Sequence, residues 1–577
     1  MRFHRIALGS VLILGLALVP VGLGGSAGAT NPNLGKSSHG HMDNGNALPH
    51  VSGGSEVTFD EERAAAADAQ SSAGSDLPPD ATVSAIGCAN RGSMTNPRVN
   101  QDCTARRQAE EQVAVNPLDP NNVIAGQNDS RIGFNHCGFD YSLDGGKTFG
   151  DGIPPFSQHL SPAGHTYDAA SDPNVTFNGA GVAWYSCVVF DINTNASGIF
   201  AVPSTVGLKG SAYRNIPAGP SNFVVAETND GHTFYDKQFM AGDPGGTSVY
   251  ITFTKFVSDQ KCSTGNNPGA YCSSEIFYSK WDKSANAGAG AWSPIANVSG
   301  DSSLCSGGNT FDKKASPTAC NFNQGSMPVV SPDGSVFVVW NNNNTPTALN
   351  QTLGRRINTD GTMSPVVKVG QDDETNIALC DFGRGPEECV KSLNVRTNDF
   401  PAIAIDPTNP NHLVAVWQDS RHSAPGAGTY GVVVSDSANG GVTWSDSAGG
   451  GTVLDGAAGE ALFEPSVAIT GTGTTAVSFY RANLHTGVRV GGGTFGYGMR
   501  SRHFGLSFGT YLGLSDGQTY PGPQANASQN GFLGDYSSIA APTTSGSNVV
   551  HAVWSDTRNA SSAGPDEDVF MRTTVAP

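Results

Sequence analysis

The stretch Asp399–Arg421, DFPAIAIDPTNPNHLVAVWQDSR, decides the reading of the whole chain. Ala402–Ile405 alternates small and β-branched residues, as a half-buried strand does. Asp406–Asn411 is turn chemistry, because Pro fixes φ while Asp and Asn bond their own backbone. His412–Gln418 resumes as a second apolar strand, and Asp419-Ser420-Arg421 closes it.

Working outward, the same hairpin recurs. It appears at Glu111–Arg131, Asp168–Asp191, Asp236–Lys255, Gln324–Asn344, Asp399–Arg421, Glu464–Arg481 and Asp535–Arg558. A period of this length, with strands and generous loops inside it, is the signature of a repeat architecture. A second marker follows several copies: SLDGGKTF at Ser142–Phe149, TNDGHTF at Thr228–Phe234, SANGGVTW at Ser437–Trp444 and NTDG at Asn358–Gly361. Its parts act locally. Asp or Asn caps the turn, Gly supplies φ > 0, and the aromatic plugs the space between strands three and four. Four-stranded units with the innermost strand first make an all-β fold, a β-propeller. Seven blades are expected, with six as the alternative if the irregular second copy is an insertion. The last copy has only three strands, so a segment within Asp80–Cys103 is expected to close the ring and remove two exposed sheet edges.

The 577 residues carry 73 Gly, 34 Pro and 38 % apolar residues, a composition for short strands and turns rather than long helices. A formal charge of −18 argues against a nucleic-acid or anionic-membrane partner. Arg2, His4 and Arg5 precede an apolar run ending near Leu23, and Ala27-Gly28-Ala29 offers a cleavage site. Residues 1–29 therefore read as a signal peptide, 30–80 as a polar linker or pro-segment, and 81–577 as one propeller domain, secreted and with no membrane contact after cleavage. The even count of 10 cysteines fits an oxidising compartment. The pairings favoured are Cys262/Cys272, Cys305/Cys320 and Cys380/Cys389 within loops, with Cys88/Cys103 and Cys137/Cys187 completing the set. No cofactor is expected; a structural calcium at Asp566-Glu567-Asp568 is the alternative to a solvated acidic loop.

An acidic or amide residue precedes strand one in each copy: Glu111, Asp168, Asp236, Gln324, Asp399, Glu464 and Asp535. A base often follows strand two: Arg131, Lys255, Arg421, Arg481 and Arg558. These positions are neighbours in an antiparallel hairpin, so a cross-strand ion pair in each blade is the structural expectation. The functional expectation is a channel mouth whose arginines grip a carboxylate bidentately. Trp184-Tyr185 and the Asn341–Asn344 run stand out there as sugar-binding groups.

Signal peptide, turn motif and propeller together resemble the secreted sialidase (neuraminidase) superfamily, whose repeats are called BNR or Asp-box repeats. The resemblance spans Glu111–Pro577 and implies a glycoside hydrolase acting on a terminal acidic sugar. It implies Tyr536 as nucleophile, in the context Tyr536-Ser537-Ser538-Ile539, with Glu464 assisting it in Glu464-Pro465-Ser466-Val467. It implies Arg481 and Arg502 (or Arg500) as carboxylate ligands and Asp129 as acid/base; the channel-mouth reading adds Arg131, Arg421 and Arg558 as further substrate-binding groups. The family's F/Y-R-I-P motif is missing; Arg106-Arg107 stand upstream and Tyr213-Arg214-Asn215-Ile216-Pro217 is an echo in another blade. Two alternatives stay open: a non-catalytic propeller that binds glycan or protein, and a polysaccharide lyase using the His165-Thr166-Tyr167 pair.

Overall fold

A computed structural model describes residues 92–577 apart from 103–106, 133–134, 215–222, 263–269, 348, 382–385, 425, 457–458, 485–494, 518–531 and 559–566. The signal peptide, the linker, Cys88/Cys103 and Asp566 lie outside the described residues.

The chain is all-β, a propeller of antiparallel sheets taken up one after another. Their innermost strands are Gln108–Asn116, Ala169–Phe177, Thr233–Gly242, Asn323–Val330, Ala402–Asp406, Glu460–Ile469 and Ser538–Ala540. Each pairs with the next strand in sequence, and that one with the third. The seven innermost strands contact one another in chain order, and the last contacts the first. At the seventh sheet, whose own strands number three, residues 97–99 lie antiparallel beside Asp568–Val575. Val99 N–H donates to Val569 O at 2.7 Å and Met571 N–H to Pro97 O at 3.2 Å.

Antiparallel order fixes which turns share an end. Strand one starts, and strand two finishes, at one end of the ring; the turns between strands one and two, and between three and four, lie at the other. Three of the motif turns follow strand three: Ser142–Phe149, Asn358–Gly361 and Ser437–Trp444. In two of them the serine hydroxyl takes a glycine N–H, from Gly146 at 2.9 Å and from Gly441 at 2.8 Å. Asp144 and Asn439 likewise accept N–H groups from Thr148 and Thr443. The copy at Thr228–Phe234 differs: it joins the fourth strand of the second sheet to the first strand of the third, and so sits at the opposite end.

The core lies between adjacent sheets. Trp340, Trp417 and Trp554 stand on second strands and are fully buried. Trp184 and Tyr185 are fully buried as well, but near the beginning of their second strand, paired with Thr176 and Val175. They are therefore core, at the end remote from the place where the hairpin pattern expected a base. Disulfides Cys137–Cys187, Cys262–Cys272, Cys305–Cys320 and Cys380–Cys389 are formed. The last of these staples a segment, residues 373–401, inserted between the fourth and fifth sheets.

Candidate functional site

A bulge in the innermost strand places the axial side chains. The register slips between Ala109 and Gln112, Ser171 and Asn174, Gln324 and Met327, and Phe463 and Ser466. The third sheet slips at the same point, between Asp236 and Phe239. The residue at each bulge has left-handed φ: Glu110 at 61°, Asp172 at 58°, Lys237 at 54°, Gly325 at 63° and Glu464 at 48°. Such a φ disfavours any side chain but glycine's, so four charged residues held there mark a repeated constraint. This corrects the hairpin reading. The equivalent residues are Glu110, Asp172, Lys237 and Glu464, not Glu111, Asp168 and Asp236, because the bulge adds a residue that periodicity does not reveal.

The bulge residues meet around Lys237, which is fully buried. Its ammonium binds the Asp535 carboxylate and lies 3.5 Å from Asp172 Oδ2 and 3.8 Å from Glu110 Oε1. It also stands 5.2 Å from the ring centre of Tyr536 and 5.1 Å from that of Phe400. The inserted segment supplies a second cation. Arg396 binds Asp535 and Glu387, and Asn398 Nδ2 donates to the Asp535 carbonyl at 2.8 Å. Sequence reasoning missed Lys237 and Arg396. Lys237 is one residue out of the expected register, and Arg396 sits in no repeat.

Tyr536 and Glu464 are linked on this axis through Ser537. Its Oγ donates to the Glu464 carbonyl at 3.0 Å, while the Lys237 ammonium stands by the Tyr536 ring and its charge acts on the Glu464 carboxyl. The Tyr536 hydroxyl donates to Pro173 O at 3.4 Å, its ring packs edge-on against Phe239 at 5.1 Å, and it is 9 % exposed. Burial, then the nearby Asp172 and Glu110 carboxyls, push its phenol well above the ordinary range. Glu464 is 3 % exposed, and neither carboxyl oxygen has a hydrogen-bond partner. Burial, then Glu111, raises it well above a usual carboxyl, against the pull of Arg396 and Lys237. Burial also raises Glu111 and Glu110 to about 8, with Asp172 adding to the shift of Glu110.

The expected arginines are elsewhere. Arg131, Arg421 and Arg558 repeat one arrangement: each binds the acid two residues before it, Asp129, Asp419 or Asp556. Each also reaches a second carboxylate, Asp151 or Asp446 on the outer part of its own sheet for Arg131 and Arg421, and Asp516, just after the outer strand of the sixth sheet, for Arg558. The base thus does pair within the blade, but its partners are these acids rather than Glu111, Asp399 or Asp535. Asp129 is fully buried in this way against Arg131, with Nε to Oδ2 at 2.6 Å, and does not face Tyr536. Arg481 binds Glu460, Nη2 to Oε1 at 2.6 Å, rather than Glu464, and stacks 4.6 Å from the Tyr511 ring centre. Arg502 pairs in register with Thr475, five residues along the strand from Tyr480, or about 17 Å. It binds Asp436 and covers Phe508 at the turn-motif end. Arg500 donates to the Asp455 carbonyl at 3.3 Å. Among the described residues no set of three arginines converges on Tyr536.

Three smaller expectations are also corrected. Glu567 and Asp568 are buried, with Arg98 Nη1 3.2 Å from Asp568, so they form no solvated loop. Asn341, Asn342 and Asn344 are buried and bond neighbouring side chains and backbone. The Tyr167 hydroxyl donates to Glu227 at 2.7 Å while His165 bonds Asp191 at 3.3 Å, so the two do not form a pair.

No family model and no curated protein matches the chain. Solved structures do. A Hadza microbial sialidase, Hz136, overlaps with a TM-score of 0.38 at 11 % identity, covering 79 % of this chain and 73 % of that one. The intramolecular trans-sialidase from Ruminococcus gnavus, in complex with oseltamivir carboxylate, gives 0.38 at 13 % identity over 84 % and 98 %. The α-L-arabinofuranosidase Arb93A from Fusarium graminearum gives 0.36 at 10 % over 69 % and 91 %. These likenesses concern architecture; the site is argued from this chain's own side chains.

Proposed function

We propose that this protein is a secreted glycoside hydrolase of the sialidase type, acting on a terminal acidic sugar at the ring axis. One observation carries the reading: the Tyr536 ring lies 5.2 Å from the Lys237 ammonium, whose charge also acts on the Glu464 carboxyl from another sheet, and Ser537 beside Tyr536 bonds the Glu464 carbonyl. An anionic sugar repels a carboxylate nucleophile, so a phenol activated by a neighbouring carboxylate is the suitable attacking group at the anomeric carbon. The acid/base role then falls to a carboxyl that keeps its proton near neutral pH, and Glu111 and Glu110 meet that requirement. Lys237 and Arg396 take the place of the arginine set, and the sugar carboxylate competes with Asp535 for them.

The test is release of the aryl group from an aryl sialoside by the purified secreted chain. Turnover lost in Tyr536→Phe and Glu464→Gln, with folding intact, is the expected result. No turnover by the wild type, or equal turnover by Tyr536→Phe, refutes the reading. A second reading, binding of glycan without hydrolysis, is favoured by the same axis: Asp535 already engages both cations, and the Tyr536 hydroxyl is engaged by Pro173. Glycan-array binding without turnover distinguishes it.

A further inference from the structure

Three further carboxylates converge where the fourth sheet meets the two ends of the inserted segment. Asp372 ends the outer strand of the fourth sheet, Glu374 opens the insertion, and Asp399 precedes the fifth sheet's first strand. One oxygen from each lies within 4.8 Å of the others. Asn341 Nδ2 bridges two of them, 2.8 Å from Asp372 and 2.6 Å from Asp399. The carboxylates of Asp399, Asp419 and Glu388 stand close enough to disfavour ionisation of Asp372 and Glu374. Three like charges packed together, with Asp372 fully buried and Glu374 half-buried, need a counter-charge or protons.

A second observation points to a ligand. Thr352 stands directly across the strand pair from Asn341, so the two side chains share a face. Thr352 is fully buried, and its hydroxyl has no hydrogen-bond partner. Asp372 is fully buried too, and its Oδ1 is likewise without a partner while Oδ2 takes the Asn341 amide. Two buried oxygens without a partner, one on the cluster itself and one on the face that Asn341 shares with it, are what a bound cation would use.

The geometry points to a calcium site formed by Asp372, Glu374, Asp399 and Thr352, with Asn341 turning its amide oxygen toward the ion when it binds. All the donors are hard oxygens, and among the described residues no nitrogen or sulfur ligand joins them, which favours calcium over zinc. The ion would tie the fourth sheet to both ends of the insertion, which carries Arg396 and Asn398 to Asp535, so calcium would hold the insertion against the axis.

The experiment is titration of Ca2+ into the full secreted chain after EGTA treatment, by calorimetry and by thermal melting. One equivalent bound, with a higher Tm, is expected. Asp372→Asn should lose the binding, and Thr352→Val should weaken it by about tenfold, since one of the oxygens required for 6–8 coordination is gone. No binding by the wild type overturns the proposal. So does wild-type affinity in both variants. Should Asp372→Asn fail to fold, Glu374→Gln takes its place beside Thr352→Val, and unchanged affinity in both overturns it equally.

Discussion

The ammonium of Lys237, on the first strand of the third sheet, binds the carboxylate of Asp535, which precedes the first strand of the seventh. The two residues are 298 apart in sequence, and both are buried. One ion pair thus spans the axis, and Asp172 and Glu110 add two further sheets to it.

Lys237→Met should destabilise the chain by about 3–5 kcal/mol, because the carboxylates of Asp535 and Asp172 would be left buried without their cation. Denaturant unfolding measures this. A loss below about 1 kcal/mol would mean that water reaches the axis and screens the group.

The blade-locking arginines should separate by burial. Arg421 bridges Asp419 and Asp446, both of whose side chains are fully buried, and its own side chain is 11 % exposed. Arg421→Ala should cost about 3 kcal/mol. The Arg481 side chain is 34 % exposed beside Glu460, so water screens the pair and Arg481→Ala should cost under about 1 kcal/mol. Equal losses in the two variants would contradict the assignment of Arg421 as the structural member.

The hairpin at Asp399–Arg421 was legible as a repeat because alternation, turn residues and the Asp-x-Arg ending are local features. The disulfides within single loops were legible for the same reason. The axial site was only half legible. Glu464 and Tyr536 were singled out through motif resemblance, whereas the positions of Glu110, Asp172 and Lys237 depend on a bulge that shifts the register by one residue. Its trace in sequence is slight: a charged residue one position before Pro or Gln, as in Asp172-Pro173, Lys237-Gln238 and Glu464-Pro465. Arg396 left no trace, since it reaches the axis from an insertion outside every repeat. Arg502 was misplaced because distance along the chain does not reveal which end of a strand a residue occupies.

Stability should depend on pH through Glu111. Burial raises its folded carboxyl from 4.5 to about 8, while an unfolded glutamate titrates near its ordinary value. Between these values the folded chain holds a proton that the unfolded chain has released. The contribution is therefore complete below about pH 4.5 and is lost as pH rises toward 8, by at most about 1.4 kcal/mol per pH unit. Glu111→Gln cannot titrate, so its stability relative to wild type should improve steadily from pH 5 to 8. A constant difference across that window would show that Glu111 is ionised in the fold.

Gly534 should tolerate no side chain. Its φ is 109°, and a Cβ there would meet the Glu110 backbone nitrogen at 2.6 Å. Gly534→Ala must push the segment bearing Asp535 and Tyr536 off the first sheet. A loss of about 1–3 kcal/mol is expected, together with weaker sugar binding if the axis is the site. Wild-type stability would show that this junction can relax.

Glu464 offers the sharpest separation of stability from function. Both of its carboxyl oxygens are buried without a hydrogen-bond partner, so the fold bears the cost of desolvating them. Glu464→Leu replaces that group with an apolar side chain of similar volume. It should raise stability by about 1–2 kcal/mol, since removing an unsatisfied polar group recovers its desolvation penalty. The same change deletes the carboxylate proposed to activate Tyr536, so hydrolysis of an aryl sialoside should vanish. A gain in Tm with loss of turnover matches a group kept for chemistry at the expense of the fold. A fall in stability would mean that Glu464 has a partner in solution and serves as a structural residue, which would remove it from the catalytic proposal.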